Sequence, residues 1–234
     1  MPSSLALRAA DHAFASCPAF LRVSTIDEAR TALGAQLALS DDMDAATLLE
    51  VWRSFEAGCR IGEDVRLGLS ARLINLGQTE CVVVGHHCVI RGCLRIEPEG
   101  RLDIAPFVYV GDGVVISAQA SVELGEATML AHGAMIFDNN SHPTNPYARE
   151  IQFRRMVGIK DRFMPVGIDS APVQIGRRCW IGMNALVLKG VRIGDNTVVA
   201  SGSVVVGDLP PNVVAGGNPA KVLRALTPDE LVES

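Results

Sequence analysis

Residues 175–210, broken into sixes, read IGRRCW IGMNAL VLKGVR IGDNTV VASGSV VVGDLP. Each of these six hexads begins with Ile or Val, and three carry Gly in second place. The same beat runs upstream through Val84, Ile90, Ile96 and Leu102. It shifts by two residues to Ile104, Val110, Ile116 and Val122, and again to Leu124, Leu130 and Ile136. A period of six suits neither a 3.6-residue helix nor a meander of hairpins. It suits a short strand followed by a tight turn, with one aliphatic side chain per strand directed inward. β-Branched residues favour the strand surface, and Gly, Ala, Ser and Asn favour the turns. Three hexads then close a triangular coil whose backbone pairs with the next coil. The reading predicts an all-β solenoid with Ile175, Ile181, Val187, Ile193 and Val199 pointing inward, and bulges or wider turns at a corner near 102–104 and 122–124. A β-sandwich with chance spacing is the competing architecture.

Composition sets the limits. The 234 residues are 48% hydrophobic and 20% charged, enough for a packed core and too apolar for wholesale disorder. Aromatics are only 5% while Gly numbers 22, which favours strands and tight turns. A net charge of −5 advertises no nucleic-acid or anionic-membrane surface. No apolar run reaches the length of a membrane span. The first twenty residues carry charge inside any signal core. The six cysteines (17, 59, 81, 88, 93 and 179) form no CxxC pair and no metal-like spacing. Reduced thiols, a cytoplasmic location and no metal are the expectations.

Three segments follow. Residues 1–58 read as a mostly helical cap. Thr25 and Glu28 form a capping box in STIDEAR at 24–30. Met43, Leu48, Val51, Trp52 and Phe55 recur at roughly helical spacing in 41–55. Terminal repeats need covering, so two short helices closing the end of the solenoid is the reading, with a recognition module as the alternative. Residues 59–218 hold the coils. Residues 219–234, containing PAKVLRALTPDE, read as a helical tail ending near Pro228.

FDNNSHP at 137–143 stops the beat, and residues 143–172 abandon it. An excursion of that length in a compact domain is usually functional or disordered. It carries Phe153, Met156, Phe163 and Met164, apolar enough to pack against a neighbouring subunit. Its basic cluster, Arg149, Arg154, Arg155, Lys160 and Arg162, fits either an anionic ligand or a solvated face. His142 stands where the coils end. A turn histidine beside a proline is one explanation. A general base is the other: an imidazole titrates near neutrality, about 6.5 for an ordinary ring, and such a base typically contributes about 10²–10⁴-fold. Asp138, Asn139 and Asn140 either orient that ring, bind a hydroxyl or make the turn. Tyr147 and Arg149 are weaker substrate-binding candidates.

The hexads, NNSHP, IGRRCWIG and the tail PPNVVAGGNPAKVLR together resemble the hexapeptide-repeat acyltransferases, over roughly residues 80–226. The resemblance implies a left-handed parallel β-helix. It is nearest to the maltose- and galactoside-type sugar O-acetyltransferases, where a His-Pro stands at the same exit, and to the streptogramin-type acetyltransferases. It implies acetyl-CoA as co-substrate, His142 as catalytic base, and direct transfer of the acetyl group to a sugar hydroxyl. Oxyanion stabilisation falls to backbone N–H groups at the turns. It also implies a homotrimer with active sites between subunits. Carried over residue by residue, Trp180 lies beside the thioester or acceptor, although packing against a neighbour also explains it. Met183 and Ser201 meet the pantetheine arm, Val206 and Gly207 the nucleotide end, and Lys221 and Arg224 the phosphates. Lysine replaces arginine at 221, which keeps the charge but loses bidentate geometry.

Other classes remain open. An antibiotic or a nucleotide-sugar amine is an alternative acceptor. A zinc hydration enzyme of γ-carbonic-anhydrase type needs three converging histidines. His86, His87, His132 and His142 exist, but 132 and 142 are ten apart where that class pairs histidines five apart. A non-catalytic scaffold needs neither His142 nor coenzyme.

Overall fold

The computed structural model describes residues 24–28, 31, 42–159 and 166–232. Short parallel strands wind into a three-faced left-handed β-helix. The first face stacks six strands, from Arg60–Ile61 through Val82–Val84, Arg101–Ile104, Ser121–Leu124 and Val173–Ile175 to Arg192–Ile193. The third face also stacks six, from Arg72–Asn75 to Val204–Val205. The second face has eight, from Arg66–Leu67 to Ala220–Ala225.

The hexad register holds. Ile175, Ile181, Val187, Ile193 and Val199 are at most 3% exposed. Each such side chain contributes roughly 1.5–3 kcal/mol by burial, and together they form the continuous core beneath all three faces. Between the strands, turn residues such as Asn184, Asn196 and Asn212 take positive φ (55°, 60° and 60°), a conformation that asparagine tolerates better than most residues.

The two phase shifts take a form that the sequence does not announce. Leu102 and Ile104 both point inward from the single strand Arg101–Ile104, as do Val122 and Leu124 from Ser121–Leu124. The strands stay in unbroken register: Val83 pairs with Asp103 and Asp103 with Glu123, 20 residues per coil, whereas Gln174 pairs with Arg192, 18 apart. A lengthened strand with two inward residues therefore replaces the expected bulge.

Helix α1, Asp42–Gly58, closes the lower end and buries Leu48, Val51, Trp52 and Phe55. Its last carbonyls are satisfied from the first coil: Asn75 Nδ2 donates to Gly58 O at 2.8 Å and Thr79 Oγ1 to Ala57 O at 3.3 Å. The Thr25/Glu28 capping box forms, with Glu28 N–H donating to Thr25 Oγ1 and Thr25 N–H to the Glu28 carboxylate. The remainder of 1–41, and Lys160, Arg162, Phe163 and Met164, lie outside the described residues, as does the side chain of Met43.

The upper end corrects the sequence reading. Ala220–Ala225 is a strand, antiparallel to Val213–Gly217, and only Pro228–Glu230 forms a helical turn, of 3₁₀ type. The last coil would otherwise leave a row of unpaired N–H and C=O groups on the second face, and the returning chain pairs with it. Tertiary pairing outweighs the helix propensity of AKVLRA. No helix among the described residues is long and apolar enough to cross a membrane.

Candidate functional site

His142 sits on the corner between the third and first faces. Strand Met135–Phe137 delivers the chain to Asp138, whose fully buried carboxylate accepts from the N–H groups of Gln119 (2.8 and 3.0 Å) and Ala120 (2.7 Å) on the coil below. Asn139, also buried, donates to Asp138 Oδ1 at 2.9 Å and Ser117 Oγ at 3.1 Å, and accepts from Ser141 N–H at 2.9 Å. That last bond closes a tight turn in which Ser141 adopts φ 59° and His142 N–H donates to Asn140 O at 2.6 Å. The end of the excursion zips onto its start: Asn140 N–H donates to Asp169 O, and Ala171 N–H to Asp138 O. Of the three polar residues nominated before the histidine, Asp138 and Asn139 are thus committed to building the corner, and the ring is met by a different residue.

That residue is Gln152. The excursion contains helix α2, Pro146–Met156, which the sequence reading left as loop. Asn145 caps it by accepting from Tyr147 N–H (2.9 Å) and Ala148 N–H (3.1 Å), and Pro146 occupies the first turn. Arg149 Nη1 donates to the carbonyls of Pro143 (2.9 Å) and Thr144 (3.2 Å), tying α2 to the His-Pro segment. One turn on, Gln152 Oε1 lies 2.8 Å from His142 Nδ1. Asn-Pro in TNPYAREIQF was the legible signal for the helix, but α2 has almost no apolar face to confirm it. Tyr147 is 74% exposed and does not line the cleft beside His142, and the Arg149 guanidinium is spent on the backbone.

The cleft measures about 670 Å³. Phe137 and Met156 give it apolar wall, Ser117, Gln119 and Asn139 give it polar wall, and Arg95, Glu97 and Glu99 form a charged lip. Arg95 is already paired with Glu97 at 2.8 Å. A larger groove of about 1440 Å³ runs along the first face, but it holds none of the residues nominated for acetyl transfer. Its Arg101 and Asp103 are paired at 2.6 Å, and the smaller cleft, which holds His142 beside the break in the coils, is the better candidate.

The residues nominated for coenzyme binding divide between corners. Val206 and Gly207 follow strand Val204–Val205 on the same corner as His142. Trp180, 54% exposed, faces outward from the second face between Met129 and Val198. Met183 and Ser201 stack on successive coils at the corner between the second and third faces, where Gly202 N–H donates to Met183 O at 2.8 Å. Within one chain these are separate places. Lys221 and Arg224 lie on the terminal strand, and both are exposed. Arg224 grips Glu230 with two bonds of 2.7 and 2.8 Å. Those bonds and the Thr227 N–H hold the Glu230 carboxyl down to about 2.

His86 and His87 occupy the corner between the first and second faces and His132 the next corner, so these histidines do not converge on His142. Among the described residues there is no group of three His, Cys, Asp or Glu placed to hold a metal ion.

Comparison with known proteins follows this geometry. The repeat family described as Bacterial transferase hexapeptide (six repeats) matches residues 172–207. The chain is 32% identical over 180 residues to WbbJ of Escherichia coli (strain K12), named as a lipopolysaccharide biosynthesis O-acetyl transferase, covering 74% of this chain and 82% of that protein. The chain belongs to the hexapeptide-repeat acyltransferases. The chain is also 36% identical over 132 residues to the acetyltransferase YJL218W of Saccharomyces cerevisiae, covering 56% of this chain and 63% of that protein, just under two thirds of its length. Among solved structures the fold matches that of AntD, an N-acyltransferase from Bacillus cereus in complex with dTDP and 3-hydroxybutyryl-CoA. The TM-score is 0.58 at 13% identity, covering 74% of this chain and 87% of that one.

Proposed function

We propose that the protein transfers the acetyl group of acetyl-CoA directly to a hydroxyl of a sugar, in a polysaccharide or its precursor, with His142 as general base. The observation that carries this reading is the exposed imidazole of His142 on a cleft of about 670 Å³, positioned by α2 at the long break in the coils. Its polar wall of Ser117 and Gln119 matches a hydroxyl-rich acceptor. Attack on the thioester forms the C–O bond as the hydroxyl proton passes to the imidazole. The carbonyl becomes an oxyanion, and collapse expels the coenzyme thiolate, which takes up a proton. Because the thioester is already activated, no serine or cysteine nucleophile is required.

The split of the nominated coenzyme residues between corners supports assembly. A site between two subunits of a homotrimer takes the His142 corner from one copy, and the second face with Trp180 and the adjoining Met183–Ser201 corner from its neighbour. Tyr147, Phe153, Met156 and Val157, all more than half exposed on or just beyond α2, supply apolar surface for such packing. The likeness to WbbJ favours a lipopolysaccharide-type sugar among acceptors. Glu99, on the lip beside the Arg95–Glu97 pair, favours a second reading, transfer to the amine of an amino sugar, for which the same base chemistry serves.

The test is release of coenzyme A with a panel of sugars and amino sugars. His142→Ala lowers kcat by about 10²–10⁴-fold, the share of a general base, while the thermal shift on adding coenzyme A persists. Lys221→Ala in the same assay raises KM for acetyl-CoA and spares kcat, because a remote phosphate contact serves ground and transition states alike. Near-full activity of His142→Ala on an identified acceptor overturns the assignment.

A further inference from the structure

A general base works only if its lone pair faces the substrate. A neutral imidazole has two nitrogens, one protonated and one not, and the hydrogen bond made by one decides the role of the other. At His142 that bond is made by a neutral amide on the excursion helix rather than by a carboxylate or a backbone carbonyl.

Gln152 Nε2 donates to the carbonyl of Ser141 at 3.4 Å, which turns Oε1 toward the ring, 2.8 Å from His142 Nδ1. An amide oxygen only accepts, so the hydrogen on that contact belongs to Nδ1. Nε2, across the ring, has no protein partner among the described residues. We infer that Gln152 is a positioning residue that holds His142 as the tautomer protonated at Nδ1, leaving the Nε2 lone pair to take the acceptor's proton. The inference rests on the general-base reading of His142 and adds to it the group that sets the base's orientation.

The chemistry of an amide here has a consequence that a carboxylate would not share. Gln152 orients the ring without adding negative charge, whereas a carboxylate in its place would favour the imidazolium form, which cannot act as a base. The charged groups that face the same cleft are Arg95, on strand Cys93–Ile96 of the third face, and Glu97 and Glu99, in the turn after it on the same corner two coils below, while α2 contributes only Gln152 and Met156. Asp169 lies beside Asn140, two residues before the ring, 3.5 Å from the Asn140 amide. The helix that carries Gln152 is anchored on both sides of the histidine, by Arg149 to Pro143 and Thr144 and by Gln152 itself to Ser141, so ring and amide move as one unit.

The test reads the tautomer directly and needs no acceptor. Long-range ¹H–¹⁵N correlation of histidine rings, with His142 assigned by its loss in His142→Ala, shows protonated Nδ1 in the unsubstituted protein above the titration range. In Gln152→Leu that signature gives way to the mixture of tautomers of an unrestrained ring. The variant's kcat falls at least tenfold but by no more than the about 10²–10⁴-fold of the base itself, with KM for acetyl-CoA unchanged. Gln152→Glu restores the Nδ1–H signature, because a carboxylate also accepts. It moves the acidic limb of the kcat/KM profile to higher pH, because negative charge beside the ring favours its protonated form. Gln152→Leu with an unaltered ring spectrum and unaltered kcat overturns the inference while leaving the base assignment standing. Full activity in His142→Ala overturns the base assignment, and the ring spectrum still reports on Gln152.

Discussion

Asp138 offers the sharpest quantitative test of how the site is built. Its carboxylate is fully buried and takes up Gln119 N–H at 2.8 and 3.0 Å, Ala120 N–H at 2.7 Å and Asn139 Nδ2 at 2.9 Å. Asp138→Ala strands two backbone donors and one amide donor on a corner where Gln119 and Ala120 are only half-exposed. Each donor left unsatisfied costs about 1–3 kcal/mol, and Asn139 keeps its bond to Ser117, so a total loss of about 2–6 kcal/mol is expected from the two backbone donors. Asp138→Asn keeps one acceptor oxygen but turns an NH₂ toward a donor, which places it at about 1–3 kcal/mol. Urea denaturation measures both, and an unchanged m-value shows that the difference is one of stability rather than of the unfolded state. Because no bond joins the carboxylate to the imidazole, the folded fraction of Asp138→Asn keeps the acidic limb of the parent pH–rate profile. Two results refute this reasoning. Stability within about 0.5 kcal/mol of the parent in Asp138→Ala, far below the cost of stranded donors, means that the corner does not depend on these bonds. A displaced acidic limb in Asp138→Asn means that Asp138 acts on the ring after all.

Two further outcomes follow from assembly and from the buried thiols. Light scattering at micromolar concentration gives three times the mass of one chain, and a monomer there removes the inter-subunit site. Burial pushes the Cys59 thiol up to about 12 and that of Cys179 to about 11, so both are neutral in the folded protein where an unfolded chain already ionises them. The sign is then set: their contribution is complete below pH about 9 and drains away as pH rises towards 11–12. The urea midpoint falls over that range, and Cys179→Ala makes the fall shallower; an equal slope in the variant contradicts the assignment.

What the amino-acid sequence determined by itself is the part of the structure that repeats. One inward Ile or Val every six residues is a local pattern, and the burial of Ile175, Ile181, Val187, Ile193 and Val199 follows from it. The place where the pattern stops was equally legible, and with it His142. Three features depended on which segments become neighbours after folding. Ala220–Ala225 carries residues that serve a helix well, yet it is a strand, because the last coil leaves backbone groups that only a returning chain can satisfy. Asp138 and Asn139 carried the chemistry to orient a histidine, but the coil below presents the N–H groups of Gln119 and Ala120, and the carboxylate is consumed there. Gln152, on a helix with little apolar face, became the partner of His142 only because Asn145 and Arg149 fold that helix back over the His-Pro segment. Periodicity is written along the chain, whereas the partner of a buried carboxylate or of an imidazole is set by the coil or helix that packs beside it.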